Sequence, residues 1–302
     1  MISLSTSAVY ERATQQIGGL RSQAENLQQQ IGSGERLTRS SDDPVAAARM
    51  RMLGRGERLA EVDQRNSDRA QTDLKMADEA LGSVADLVIR AKELAMQAAN
   101  GTLSPEQRIA IGGSIAGLRQ NLLSIANSRN AAGHALFGGQ AAGAAYTDDG
   151  TTVTYAGTAG ANPIDLGNGQ TVNPAIAGPD VFALEVEGTA TDLFAVLGNL
   201  AVALQTGADA TAACGTALAG LEVGLDKVTT AQTLVGGRLG WIEVMDQRRE
   251  ATGELMADER AAVGGADLAT TMTRLQEVMT VLEASQASFV RLSGLSLFNM
   301  LR

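Results

Sequence analysis

Val9, Ala13, Ile17, Leu20, Ala24, Leu27 and Ile31 follow one another at steps of three or four residues near the start of the chain. Leu268, Met272, Leu275, Met279, Leu282, Gln286 and Phe289 do the same near its end. A row of this period keeps one face of a helix apolar, and that face needs a partner helix to cover it. Matching rows at opposite ends cover each other if the chain runs out, turns and comes back. Two inner rows repeat the pattern. One is Leu74, Ala77, Leu81, Val84, Val88, Ala91, Ala95 and Ala98; the other is Leu221, Leu225, Val228, Gln232, Val235, Leu239 and Ile242. Between Val62 and Leu74 the seam steps through Asn66 and Ala70 in fours. That stutter predicts local unwinding of the supercoil. A helix from about Pro44 to Asn100 would be roughly 85 Å long at about 1.5 Å per residue, which points to a rod.

The breaks between rows carry helix punctuation. The stretch "SGERLTRSSDDPVAAARM" (residues 33–50) holds a glycine, two adjacent aspartates and a proline inside an otherwise helical pattern. Gly32 and Gly34 are expected to end the first helix. Pro44 suits the first helical position, where its missing N–H costs nothing, and it keeps the residue before it out of the α region. Asp43 therefore fits the N-cap, and Asp42 adds negative charge at the positive end of the helix dipole. Caps explain both carboxylates without a metal or a catalytic dyad. In "NGTLSPEQR", Gly101 is expected to stop the long helix, and Ser104, Pro105 and Gln107 form a capping box for the next, which continues through Ile111, Ile115, Leu118, Leu122 and Ile125. Asp267 is the expected N-cap after "VGGAD".

The helical period disappears between residues 136 and 188. "TTVTYAG" after "DDG" reads as a strand following a turn, and "PIDLGNGQTVN" as a hairpin around Gly167, Asn168 and Gly169. Helix is expected to resume at "TDLFAVLGNLAVALQ" and continue into the second inner row. The fold class is thus mainly α, with long antiparallel coiled-coil helical arms from both termini and a small β-rich domain inserted between them. Three divisions are expected: 1–40 with 264–302 as a terminal coiled coil, 41–135 with 189–263 as a helical rod, and 136–188 as a β-rich outer domain.

Charge and chemistry narrow the function. The chain has 24 Lys and Arg against 34 acidic residues, and ten of the acids lie between Arg129 and Lys227, where no Lys or Arg occurs. The arms are balanced, which suits helix packing, and no basic face is offered to a nucleic acid. No apolar run is long enough for membrane insertion, and the first residues lack the pattern of a cleaved signal peptide. Cys214 is the only cysteine and sits among small apolar residues, so it reads as a buried thiol. His134 is the only histidine, which removes zinc motifs that need two; it reads as a cap on the third helix. "LFGGQAAG" lacks the lysine of a phosphate loop, and Asp148-Asp149-Gly150 lacks the further carboxylates of a calcium loop, so it reads as a turn. No catalytic, cofactor-binding or metal-binding residue is expected; the chain reads as no enzyme.

Several stretches resemble the bacterial flagellin-like axial proteins. "SGERLTRSSDDPVAAARM" resembles the family's N-terminal signature, and its Pro-Val-Ala-Ala-Ala run is closer to the hook–filament junction branch than to flagellins. "NAAGHALFGGQ" resembles the Leu-Phe-Gly-Gly corner that leads into the outer domain, and "GGRLGWIEVMDQRRE" resembles the returning helix. The last stretch, "DLATTMTRLQEVMTVLEASQASFVRLSGLSLFNMLR", resembles the family's C-terminus. The resemblance implies a structural subunit exported through the flagellar type III apparatus without a cleaved signal and assembled outside the cell. It implies four partners: further copies of itself in a ring or helical assembly, the neighbouring hook-associated protein, flagellin, and a cytoplasmic export chaperone on residues 264–302. Leu20, Leu27, Ile31, Leu275, Leu282, Phe289 and Phe298 are the expected subunit-interface residues, each equally able to serve as an intrachain core position. Asp42, Asp43 and Pro44 form the expected hinge and helix cap. The alternative within the superfamily is flagellin itself.

Overall fold

The computed structural model describes residues 3–37, 39–160, 162–207 and 209–300, with side chains for residues 8, 10–37, 39–160, 162–207 and 209–291. Seven helices are described: α1 (Ser3–Ser33), α2 (Pro44–Ala98), α3 (Pro105–Ala126), α4 (Gly178–Phe182), α5 (Leu193–Thr206), α6 (Ala210–Gly264) and α7 (Leu268–Met300). Six short strands lie between α3 and α5: β1 (Tyr146–Asp148), β2 (Val153–Tyr155), β3 (Ile164–Gly167), β4 (Gln170–Val172), β5 (Ala183–Val186) and β6 (Thr189–Asp192). This is the expected class, long helices from both termini with a small β-rich insert. The chain divides into two compact units, Met1–Arg58 with Ala251–Arg302, and Leu59–Glu250.

In the first unit α1 and α7 pack antiparallel. The Tyr10 and Phe289 rings meet edge-on with centroids 5.6 Å apart, while Glu35 bridges Gly265 at the other end of the pair. Ala13, Ile17, Leu20, Leu27 and Ile31 are half-buried on α1 and Ala24 is buried; Val9 lies outside the described side chains. On α7 the covered row is Thr271, Leu275, Val278, Leu282, Ser285 and Phe289. It is displaced from the expected one: Leu268, Met272 and Met279 are 48, 59 and 36% exposed. The apolar residues of α7 span two adjacent rows, and α1 can cover only one. Also in this unit, α2 and α6 run antiparallel, with Arg49 paired to Glu259 and Arg260 to Glu57. These pairs are exposed and contribute little.

In the second unit the α2 seam is as read, while on the α6 seam Leu225, Gln232 and Leu239 are only half-buried. Leu74, Ala77, Leu81, Val84, Val88, Ala91, Ala95 and Ala98 are all at most 1% exposed, and Leu221, Val228, Val235 and Ile242 are fully buried. The expected stutter is only partly covered: Ala70 and Leu74 are buried and Asn66 is half-buried, but Val62 is 42% exposed, and half-buried Gln64 and buried Ser67 share the covered face before Ala70. The partner at this polar layer is Arg249 on α6. Its Nη1 donates to Gln64 Oε1 at 2.8 Å and to Asp246 Oδ1 at 2.6 Å; its Nη2 donates to Ser67 Oγ at 3.0 Å and to the Leu166 carbonyl at 3.1 Å. One guanidinium thereby ties α2, α6 and β3 together, and Asn66 adds a bond from Nδ2 to the Asp165 carbonyl at 2.9 Å.

The strands form three separate antiparallel hairpins, β1–β2, β3–β4 and β5–β6. The second was expected; of the first only the strand after the turn was, and the third was not, its second strand running to Asp192. Turn chemistry explains the first: Asp149 Oδ1 accepts from the Thr151 and Thr152 N–H groups, and Asp148 takes both Nη atoms of Arg119 at 2.9 and 3.2 Å. The arginine holds the Asp148 carboxyl below its usual range, so Asp148 is committed to α3. Five aromatic side chains close the hairpins onto the helices. Tyr146 meets Tyr155, Phe182 and Phe194 at 5.0–5.5 Å between centroids, and Phe137 meets Phe182 at 5.4 Å. The Phe137 carbonyl accepts from the Gly178 N–H and the Tyr155 hydroxyl. Gly139 follows at φ +64°, where a Cβ would lie 2.4 Å from the Thr158 carbonyl oxygen; the glycines of "LFGG" are a backbone corner.

Three local readings change. Gly101 does not end α2, which stops at Ala98; Asn100 closes the turn that follows, its Oδ1 accepting from the Thr102 N–H and hydroxyl. His134 does not cap α3. Asn127 occupies that position and exchanges two bonds with the Tyr146 backbone, whereas His134 is exposed. Helix is not continuous from α5 into α6: Gly207 adopts φ +77°, and Asp209 Oδ1 accepts from Thr211 and Ala212 to restart it. The Ser104 capping box is present as read, and Cys214 is buried, with its thiol pushed up by desolvation. Arg249→Met removes every bond of the polar layer while keeping most of the volume. It should destabilise the second unit by about 2–3 kcal/mol, read from chemical denaturation, because Ser67 and the Leu166 carbonyl lose their charged donor.

Candidate functional site

Two helix-to-helix junctions lie side by side in the first unit, residues 34–43 between α1 and α2 and residues 265–267 between α6 and α7. α1 stops at Gly34, whose φ of +71° favours glycine and whose N–H donates to the Gln30 carbonyl at 2.9 Å. Gly32, the other expected stop, remains inside the helix. The Arg36 N–H donates to the Gly264 carbonyl at 2.7 Å, and the Ala266 N–H donates to the Gly34 carbonyl at 2.9 Å. These two bonds join the junctions as a minimal antiparallel bridge. The Arg36 guanidinium reinforces it, with Nη2 donating to the Val263 carbonyl at 3.0 Å and to Asp43 Oδ2 at 3.3 Å. A cation on the last carbonyls of α6 is also favourably placed on that helix's dipole.

Asp43 stands where α2 begins. Its Oδ1 accepts from the Ala46 N–H at 3.0 Å, and Pro44 is the first helical residue. The Ala46 bond, then Arg36, hold the Asp43 carboxyl below its ordinary 3.8. Asp42 closes the preceding turn instead, its Oδ2 accepting from the Arg39 N–H at 2.9 Å. Asp267 does for α7 what Asp43 does for α2. It accepts from the Ala269 and Thr270 N–H groups and the Thr270 hydroxyl, which lower its pKa. Each of these carboxylates is already used in a cap, turn or ion pair. Among the described residues no group of three or more His, Cys, Asp or Glu side chains is placed to hold a metal ion. The arrangement positions helices.

Of the expected interface residues, Leu20, Leu27 and Ile31 are half-buried on the α1 face turned to α7, and Leu275 and Phe289 are half-buried opposite them. Leu282 is 7% exposed. Phe298 lies outside the described side chains. Arg36 went unnoticed in the sequence because it falls in a polar stretch with no periodicity. Its only local signal was a basic residue seven positions before an N-cap aspartate.

Similarity to known proteins matches this architecture. Residues 4–142 match the family model described as the bacterial flagellin N-terminal helical region. Flagellar hook-associated protein 3 of Escherichia coli is 26% identical over 98% of both chains. Flagellin FljK of Caulobacter vibrioides is 24% identical over 82% of this chain and 87% of its own. A putative flagellar hook-associated protein from Vibrio parahaemolyticus has the same fold, with a TM-score of 0.70 over 74% of this chain and 100% of its own at 19% identity. The resemblance read from the motifs is borne out: this chain is similar to hook-associated protein 3 from end to end.

The Asp43 geometry makes a pH-dependent prediction. Its folded pKa is lowered, so its contribution is present above the unfolded value and is lost as pH falls through the folded one. Asp43→Ala should melt below wild type at pH 7, and Asp43→Asn should lose less, since the amide oxygen still caps. The gap between wild type and Asp43→Ala should narrow as pH falls below 3.8, in thermal melts followed by circular dichroism.

Proposed function

We propose that this chain is a structural subunit of the bacterial flagellum, forming the junction ring between hook and filament and supporting assembly of the flagellin filament for swimming. The observation that carries this is the likeness to hook-associated protein 3, which spans both terminal arms and both junctions. The chemistry of the described residues suits a scaffold: carboxylates serve caps and ion pairs, and the lone thiol is buried.

On this reading the subunit is exported through the flagellar type III apparatus without a cleaved signal and works outside the cell. It contacts its own copies, a neighbouring hook-associated protein on one side and flagellin on the other. A cytoplasmic export chaperone holds residues 264–302 before export. Residues 1–40 with 264–302 form the innermost layer, 41–135 with 189–263 the rod, and 136–188 the outer module. Asp42, Asp43 and Pro44 mark the hinge between the first two. Leu20, Leu27, Ile31, Leu275, Leu282, Phe289 and Phe298 serve the subunit interface. The α1 and α7 seams are rich in Ala, Ser, Thr and Gln and bury little area as an isolated pair, so they gain order on assembly.

The second reading, a filament-forming flagellin, is favoured by the likeness to the Caulobacter protein. Copy number separates the two: a filament subunit dominates sheared filaments, whereas a junction subunit is scarce in them. Deleting the gene should leave hooks without filaments in electron micrographs and unpolymerised flagellin in the medium; normal filaments would reject the junction role. Hydrogen exchange on the free subunit should show weak protection at both termini and strong protection over residues 74–98. Equal protection throughout would remove the proposal that the termini gain order on assembly.

A further inference from the structure

A cleft of about 600 Å³ opens in the second unit between α6 and the end of the β3–β4 hairpin. That is room for a few residues of an extended chain or a small ligand. One wall is Thr171 and Val172 of β4 with Asn173 after them, and no residue of β3 lines it. β4 pairs with β3 alone, so its other edge has no strand partner. The opposite wall is α6, which presents Leu234, Arg238 and Trp241 at steps of four and three. Leu234 is 55% exposed, and Trp241, the chain's single tryptophan, is 37% exposed. Gly237 lies between them on the same wall. Nothing stands within 4 Å of where its Cβ would be, so packing within the chain does not demand a glycine there. Its missing side chain leaves the cleft open.

Arg238 identifies what the cleft takes. Between Arg129 and Arg248 the only Lys or Arg residues are Lys227 and Arg238, in a stretch otherwise acidic. Arg119 and Arg249 in the same unit are each paired with an aspartate. Arg238 is half-buried, its Nη1 donates to the Ala175 carbonyl at 3.1 Å, and it makes no ion pair among the described residues. A guanidinium carries its N–H groups in a planar fork that matches a carboxylate, and most of this fork is left for a ligand. Leu234 and Trp241 offer apolar surface on either side of it. Leu234 and Arg238 are about 6 Å apart along the helix axis, at about 1.5 Å per residue. In an extended chain, side chains two residues apart share one face at about 6.8 Å. We infer that the cleft binds an extended acidic segment of another protein chain. The segment lies along the free edge of β4, with its carboxylate on Arg238 and an apolar side chain two residues away over Leu234. The strand edge supplies main-chain bonds, and the two side-chain positions supply specificity. An acidic glycan shares the carboxylate but has no backbone amides for the edge. The inference goes beyond the structural role proposed above and does not depend on it.

Because Trp241 is the only tryptophan, emission from the full chain reports on the cleft directly. The probe is the peptide Val-Thr-Asp-Thr-Val, blocked at both ends so that the aspartate is its only charge. It should give a saturable change in tryptophan emission. The same peptide with asparagine in place of aspartate should bind about tenfold more weakly, through loss of the charge-assisted pair. Arg238→Gln should bind both peptides equally and weakly, and Arg238→Lys should keep part of the preference. Gly237→Leu, a change that helix propensity favours, should fill the cleft, abolish the emission change and melt no lower than wild type. No saturable change with the aspartate peptide would overturn the inference, and so would equal affinity of the wild-type chain for the asparagine peptide. An aspartate preference that survives Arg238→Gln overturns it too, as does an oligomer of glucuronic acid that binds as tightly as the peptide. If Arg238→Gln does not fold, Gly237→Leu decides: undiminished peptide binding by that variant removes the cleft as the site.

Discussion

The structure depends on covering long rows of small apolar residues. From Leu74 to Ala98 half of the seam is alanine, and every position is closed. An alanine seam gains little per residue from burial, about 0.8 kcal/mol per methylene-sized group. It lets helix axes approach closely, however, and holds its geometry over many turns. Stability is then spread thinly along the length rather than gathered in a centre. This is why interruptions matter: each break in the period must be capped, turned or clamped, since no nearby bulk compensates for a frayed end.

The insert solves a different problem. Three two-stranded hairpins are too small to be stable alone. They are held because Phe137, Tyr146, Tyr155, Phe182 and Phe194 converge where the hairpins meet the helices. Aromatic pairs of this geometry add about 0.5–1.5 kcal/mol each beyond the area they bury. In a chain whose composition is only 3% aromatic, placing five of its nine rings in one cluster concentrates most of that resource there. The corner glycines serve the same junction by letting the Phe137 carbonyl reach both Gly178 and Tyr155.

Periodicity revealed what periodicity controls. The α2 seam from Leu74 to Ala98 was legible to the residue, as were the Ser104 box, the Asp43 and Asp267 caps and the β3–β4 hairpin, because each has a short-range chemical signature. What escaped was decided at longer range. The covered row of α7 could not be chosen from two apolar rows without knowing which one α1 would face. The places of Gln64 and Ser67 in the seam went unread because both are polar, and their partner Arg249 lies far away in sequence. Arg36 was invisible for the same reason: its meaning comes from the end of α6. The β5–β6 hairpin escaped because Glu187 and Gly188, both at positive φ, form a two-residue turn without the asparagine or aspartate that usually marks one.

The polar layer at Arg249 also explains how so uniform a seam keeps its register. An alanine row can slide by a heptad against another with little loss, since successive positions are nearly alike. A guanidinium bonded to Gln64, Asp246, Ser67 and the Leu166 carbonyl cannot slide, because every displaced register leaves a charged donor facing apolar atoms. A single polar position in a heptad seam is a known way to fix register at some cost in stability. Here the same side chain also sets where the β3–β4 hairpin sits on the helices. Register and insert placement are therefore one decision, and it is made by a residue that hydropathy would assign to the surface.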